Sequence, residues 1–194
     1  MEKRTILTTN ESGIGRAVSN GQGQWLVGTV LAGHDVRCLA ADPLDPQVVY
    51  AGTQGSGLFR SRDRGQTWEP AGLEGQVVKA IAASPHQQGL LYAGTRPASM
   101  HISQDHGATW RELTGFRDIP YRRFWFSPAE SPWQAYVQAI TLSPTEPDLL
   151  LAGIEFGATL RSEDGGQSWS SHLRGSLRDC HSLKFHAANG DWAY

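Results

Sequence analysis

Short apolar runs, each alternating with polar or small residues, recur along the chain and are separated by turn-forming residues. Val36, Cys38 and Ala40 form one alternating run, and Val78, Ala80 and Ala82 another. A Pro-containing turn follows, as from Pro43 to Pro46. A second run reads Val-Tyr-Ala-Gly or Leu-Tyr-Ala-Gly, with Tyr50 and Tyr92 at matching places. A third reads "GLFRS", "ASMHIS" or "ATLRS", and a fourth opens at Trp68, Trp110 or Trp169. A period of two predicts half-buried strands, and no stretch carries the 3.6-residue period of an amphipathic helix. Ala and Gly crowd the first two strands of each unit, as a narrow central space requires.

These units repeat. Their starts at Val36, Val78, Val137 and Cys180 are spaced 42, 59 and 43 residues apart. A period near 42 is that of a four-stranded propeller blade. The reading is an all-β chain, a β-propeller of four-stranded antiparallel blades, with about three full blades and partial blades at both ends of an incomplete ring. Its divisions are a degenerate partial blade over 1–35, blades over 36–77, 78–136 and 137–179, and the start of another over 180–194. "GIGRAVSNGQGQW" at 13–25 keeps the Arg and the final Trp of the repeat, with Asn20 where an acid is expected. An incomplete ring leaves strand edges unpaired. The expectation is therefore a piece of a longer reading frame, with self-association through the open edges as the alternative.

One octapeptide is written three times: "SRDRGQTW" at 61–68, "SQDHGATW" at 103–110 and "SEDGGQSW" at 162–169. Asp63, Asp105 and Asp164 fall in tight turns, where a short carboxylate accepts backbone N–H groups the turn leaves unpaired. Gly65, Gly107 and Gly166 supply a backbone conformation that a side chain penalises. The hydroxyls of Ser61, Ser103 and Ser162 bond neighbouring backbone in the same way, and Trp68, Trp110 and Trp169 bury large apolar area between sheets. Every position has a local structural job, so the box is read as structural.

Composition narrows the field. The net charge is -2 and the pI about 6.4, with no basic footprint for nucleic acid. No apolar run approaches the length of a membrane span. The segment "MEKRTILTTNESG" has no apolar core of a secretory signal, so a cytoplasmic address is the expectation. Cys38 and Cys180 are read as buried free thiols. No metal-ligand spacing, phosphate-cradling glycine loop or serine elbow appears, and no cofactor is expected.

The boxes resemble the Asp-box, or BNR, repeat of sialidases, xyloglucan-active glycosidases, sortilin-type receptors and a photosystem II assembly factor. The whole unit is similar to uncharacterised bacterial BNR-like propellers, as are the insert "IPYRRFWFSPAESPW" and "RDCHSLKFH". The resemblance implies a propeller whose boxes lie on the face away from any ligand. It covers enzymes and binders alike, so function must come from the site.

Alternating strand direction puts box turns and Pro turns on one face. The other face collects the loops between second and third strands and between blades: His34, Asp35, Arg96, Glu155, Arg178, Asp179 and His181. It also collects the excess of the 59-residue repeat, roughly 114–133. This insert holds Arg117, Asp118, Tyr121, Arg122, Arg123, Phe124, Trp125, Phe126, Glu130 and Trp133. Aromatic rings stack on sugar faces and Arg forks bind carboxylates. Arg96, Tyr121, Arg122, Arg123, Trp125 and His181 are the candidate ligand-binding residues, for a carbohydrate or a protein partner. The alternative is part of a glycoside hydrolase, which needs two carboxylates about 5–10 Å apart. Glu155 and Asp179 are the candidate pair. "FRDIP" at 116–120 resembles the Phe-Arg-Ile-Pro segment of sialidases, with Asp118 inserted. A sialidase-like site would draw three arginines from Arg96, Arg117 and Arg122.

Overall fold

The structure is a computed structural model and describes residues 4–10, 12–129, 131–171 and 179–194. An N-terminal sheet pairs β1 (Thr5–Asn10), β2 (Gly13–Ser19) and β3 (Trp25–Val30). Three four-stranded antiparallel sheets follow. The first holds β4 (Val36–Ala41), β5 (Val49–Thr53), β6 (Leu58–Ser61) and β7 (Glu69–Pro70). The second holds β8 (Val77–Ala83), β9 (Leu91–Arg96), β10 (Met100–Ser103) and β11 (Arg111–Glu112). The third holds β12 (Val137–Leu142), β13 (Leu150–Ile154), β14 (Thr159–Ser162) and β15 (Ser170–Ser171). A hairpin of β16 (Phe185–His186) and β17 (Asn189–Ala193) comes last. Each strand pairs with its sequence neighbours, and the first strands β4, β8 and β12 lie against one another. This is an incomplete propeller, not a closed barrel.

The core is a set of layers between successive sheets, not one central mass. Tyr50, Leu58 and Ala71 of one blade pack on Val78, Ile81, Leu91 and Ala93 of the next. Tyr92, Met100, Leu113 and Phe116 then pack on Ile140, Leu150, Ala152 and Leu160. Ile14 joins the N-terminal sheet to Val36, Ala51 and Phe59.

Near the axis the layers become too thin for side chains on both sides. A Cβ on Gly52 would lie 2.7 Å from Val78 Cγ1, and one on Gly94 would lie 2.5 Å from Val137 Cβ. One on Gly153 would lie 2.3 Å from Cys180 Sγ. Thus each second-strand glycine receives the first residue of the following unit. Cys180 takes the place that Val78 and Val137 hold in their own blades, is buried, and is a free thiol, as is the half-buried Cys38.

The boxes form three copies of one hydrogen-bonded turn. Ser61 Oγ donates to Asp63 Oδ1 (2.8 Å) and accepts from the Gly65 N–H (2.8 Å). Asp63 Oδ1 accepts the Thr67 N–H (2.8 Å), and Oδ2 accepts the Thr67 hydroxyl (2.6 Å). Ser103, Asp105, Gly107 and Thr109 repeat this pattern, as do Ser162, Asp164, Gly166 and Ser168. The residue pairs Arg64–Gly65, His106–Gly107 and Gly165–Gly166 are all left-handed, with φ between 59° and 88°. The three aspartates stay in separate turns.

Strand pairing resumes one residue past each Trp, at Glu69, Arg111 and Ser170, and not at the Trp itself. The reason is local. Each indole turns back so that its N–H donates to the box carbonyl of Gly65, Gly107 or Gly166. Trp110 also donates to Ala71 O of the preceding blade (2.8 Å). Arg16 and Arg60 make comparable links, donating to the Arg64 and His106 carbonyls of the next box. In the N-terminal sheet Asn20 Oδ1 accepts the N–H groups of Gln22 and Gln24, an amide oxygen doing the work of the missing carboxylate.

A second fastener sits at each Pro turn. Asp42 Oδ1 accepts the N–H groups of Leu44 and Asp45. Ser84 Oγ does so for His86 and Gln87, and Ser143 Oγ for Thr145 and Glu146. The two kinds of turn are joined on one face, since the Arg64, His106 and Gly165 N–H groups donate to the Gln47, Gly89 and Asp148 carbonyls.

Gly94→Ala forces the third blade outward and lowers stability by about 1–3 kcal/mol in thermal unfolding. Gly28→Ala, which meets nothing within 4 Å, changes it by less than about 0.5 kcal/mol.

Acid tests the boxes. Burial pulls the Asp63 carboxyl upward, but hydrogen bonds from Thr67, Ser61 and Gln66 outweigh it and hold it at about 2. Hydrogen bonds from Thr109 and then Ser103 hold Asp105 at about 2, and those from Ser168 lead in depressing Asp164. A carboxyl depressed on folding stabilises above its unfolded value, near 4, and loses that contribution as pH falls toward 2. The melting temperature therefore falls between pH 4 and pH 2. The Asp63→Asn/Asp105→Asn variant starts lower and falls less steeply over the same window.

Candidate functional site

The face opposite the boxes carries the insert. It leaves the second blade after β11 as a 3-10 turn, Thr114–Asp118, and runs through another, Arg122–Phe124. Phe116 and Ile119 are buried and root the insert in the layer between the second and third blades. Phe116 meets the edges of Trp169 (5.5 Å) and Trp125 (6.0 Å). With its base anchored, the rest of the insert stands over the loop between β13 and β14.

There it forms an aromatic cleft of about 600 Å³, lined by Tyr121, Phe124, Trp125, Phe126 and Phe156. Tyr121 stacks with Phe124 (6.4 Å), and Phe126 with Phe156 (5.6 Å). Trp125 is partly buried against the blade core. Tyr121, Phe124, Phe126 and Phe156 are 61%, 62%, 46% and 40% exposed, far more than rings that merely fold a loop back. Phe156 was no candidate in the sequence. Its signal was the aromatic residue beside Glu155 in a loop whose other copies carry none.

The candidate arginines divide. The Arg122 guanidinium turns away from the cleft, donates to Ala98 O and lies over the Phe116 ring (5.8 Å). Arg123 lies over Phe124 (4.8 Å), and Arg96 donates to Pro132 O (2.7 Å). Arg117 pairs with Glu112. So Arg96, Arg117 and Arg122 hold three different partners and do not converge on one point. Their hydrogen bonds tie the insert to the second blade.

The two candidate carboxylates have partners of their own. Glu155 is only 6% exposed and accepts the Ser127 hydroxyl (2.8 Å). Asp179 pairs with His181 (3.3 Å), a residue open to solvent. Neither carboxylate lines the aromatic cleft. Glu130 and Arg178 lie outside the described residues. Among the described residues no cluster of His, Cys, Asp and Glu is arranged to hold a metal ion, and no helix is long and apolar enough to cross a membrane.

The BNR/Asp-box repeat family model matches residues 59–70, the third strand and box of the first full blade. No curated protein matches the sequence. Among solved structures, the Niastella koreensis GH74 enzyme aligns with a TM-score of 0.65 at 15% identity, over 97% of this chain and 33% of its own. YCF48 from Cyanidioschyzon merolae aligns with a TM-score of 0.66 at 13% identity, over 95% of this chain and 58% of its own. YCF48 bound to D1 peptide aligns with a TM-score of 0.61 at 13% identity, over 95% and 56%. The chain thus spans about a third to three-fifths of the length of these neighbours. At such identities the likeness is one of fold. A matched repeat in one blade, the same bonded turn in two more, and propellers as structural neighbours mark the chain as an incomplete β-propeller that carries Asp-box turns.

Proposed function

We propose that this propeller is a ligand-binding module that takes a glycan in the aromatic cleft on its loop face. The observation that carries the reading is the cleft itself, with two stacked ring pairs, Tyr121–Phe124 and Phe126–Phe156, exposed on either side of Trp125. Flat apolar ring faces match the C–H faces of a sugar, and rigid aromatics lose little entropy on binding. No carboxylate stands among the described residues that line the cleft, which favours binding over glycoside hydrolysis. A peptide with aromatic or apolar side chains is the other class of ligand such a surface accepts.

The enzyme reading, part of a glycoside hydrolase, draws on the GH74 neighbours. It requires Glu155 to act from beneath Ser127 and a second carboxylate to face it.

Titration calorimetry with xyloglucan oligosaccharides tests the binding reading. Binding is expected, and Tyr121→Ala/Phe124→Ala weakens it about tenfold or more with an unchanged melting temperature, because both rings are exposed. Arg122→Ala instead lowers stability and leaves affinity within about threefold in protein that stays folded. Hydrolysis of the oligosaccharide that disappears in Glu155→Gln would replace the binding reading with the enzyme one.

A further inference from the structure

The loop between β13 and β14 meets the far limb of the insert residue by residue. Glu155 accepts the Ser127 hydroxyl, Phe156 stacks on Phe126, and Gly157 lies against the Trp125 ring. Trp125, Phe126 and Ser127 are thus met in reverse order by Glu155, Phe156 and Gly157. A Cβ on Gly157 would lie 3.1 Å from Trp125 Cγ, so the glycine leaves room for the indole to seat. The two segments belong to neighbouring units, and their contact builds one wall of the aromatic cleft across a blade boundary.

The other blades give the reason for this contact. Thr53, Thr95 and Ile154 hold one register of the second strands, opposite Val36, Val78 and Val137. Their N–H groups close the three following loops alike, on the carbonyls of Gly57, Ser99 and Ala158. The side chains differ. The Thr53 hydroxyl donates to Gly57 O (2.8 Å) and accepts the Ser56 N–H (2.9 Å). The Thr95 hydroxyl donates to Pro97 O (2.9 Å). Ile154 has no hydroxyl, and the third loop takes its side-chain tie from the insert, through Glu155.

That tie is dry and directed. Ser127 is fully buried and Glu155 nearly so, which keeps water from competing for the bond. The Ser127 hydroxyl donates to Glu155 Oε2 (2.8 Å) and accepts the Ala129 N–H (3.2 Å), so both its roles are taken. Each partner is also the chain neighbour of an exposed ring. Ser127 follows Phe126, and Glu155 precedes Phe156. Phe156 is left-handed, with φ of 45°, a conformation that persists only where its surroundings impose it. The bond at Glu155 and the indole against Gly157 impose it from both sides, and they aim the Phe156 ring at Phe126.

We infer that Glu155 and Ser127 are positioning residues of the aromatic cleft, whose buried hydrogen bond locks the Phe126–Phe156 wall in place for a ligand that neither of them touches. That the ligand is a glycan rests on the reading above; the lock itself does not. The buried carboxylate thereby has a role that needs no second acid.

Fluorine NMR of the chain carrying 4-fluorophenylalanine tests the lock without ligand. The chain has 6 phenylalanines, and Phe126→Leu and Phe156→Leu assign the two signals concerned. Ser127→Ala and Glu155→Ala move both signals by more than a linewidth and leave that of Phe59, in the first full blade, unmoved. Glu155→Gln keeps an oxygen acceptor at the same reach and returns both signals to their parental places. Calorimetry with xyloglucan oligosaccharides follows the same order. The alanine variants bind about tenfold more weakly and the glutamine variant within about twofold of the parent. Ser127→Ala/Glu155→Ala binds no more weakly than either single variant, because one contact is lost in all three. If an alanine variant loses its circular dichroism spectrum, Glu155→Asp, with its carboxylate drawn back from Ser127, replaces it with the same expected shifts. Unmoved Phe126 and Phe156 signals in a folded variant, or a Glu155→Gln chain that behaves as Glu155→Ala does, overturn the lock. A parental chain that binds no oligosaccharide overturns the glycan reading alone, since the fluorine signals still decide the lock.

Discussion

The contact on which this architecture depends is that between a glycine of each second strand and the first residue of the next blade. Gly52 receives Val78, Gly94 receives Val137, and Gly153 receives Cys180. Blades that radiate from an axis converge, and the space between them is least where the first strands run. There only a hydrogen atom fits on one side. Farther out the gap widens, and the filling side chains grow from Ala and Val to Tyr, Phe, Met and Trp. The taper in side-chain size is the taper of the wedge.

The fastening turns and the long insert then fall on opposite faces. On one face the box and the Pro turn close their own hydrogen bonds and brace each other, and Trp and Arg side chains link the turns to neighbouring blades. Polar groups so fully engaged have little left to offer a ligand. The other face carries connections that hold little together, so one of them grows into an insert without disturbing the sheets. Its buried root at Phe116 and Ile119 supports exposed rings above.

Some of the candidate site was legible in the sequence and some was not, for physical reasons. The insert announced itself by length, and Tyr121 and Trp125 by residue type. Arg122 also looked like a ligand residue, because a sequence does not show which way a guanidinium turns. In the fold it bonds Ala98 O, a partner 24 positions earlier. Glu155 and Asp179 looked like a pair because adjacent blades bring their loops near one another. In the fold Glu155 accepts the Ser127 hydroxyl, from a residue 28 positions earlier, and Asp179 pairs with His181 two positions on. Asp42, Ser84 and Ser143 each stand directly before a proline, the local pattern of an Asx or Ser turn.

What the sequence determined by itself was the repeat: four short strands per unit, the boxes, and the glycine that follows Ala in the second strand. These are local properties, set by side-chain size, backbone permissiveness and hydrogen bonds within a few residues. Tertiary structure alone decided which residues from different blades share a space. Glu155, Phe156 and Gly157 meet the insert across one blade boundary. Nothing in a linear pattern encodes such meetings, because they arise from the angle between sheets.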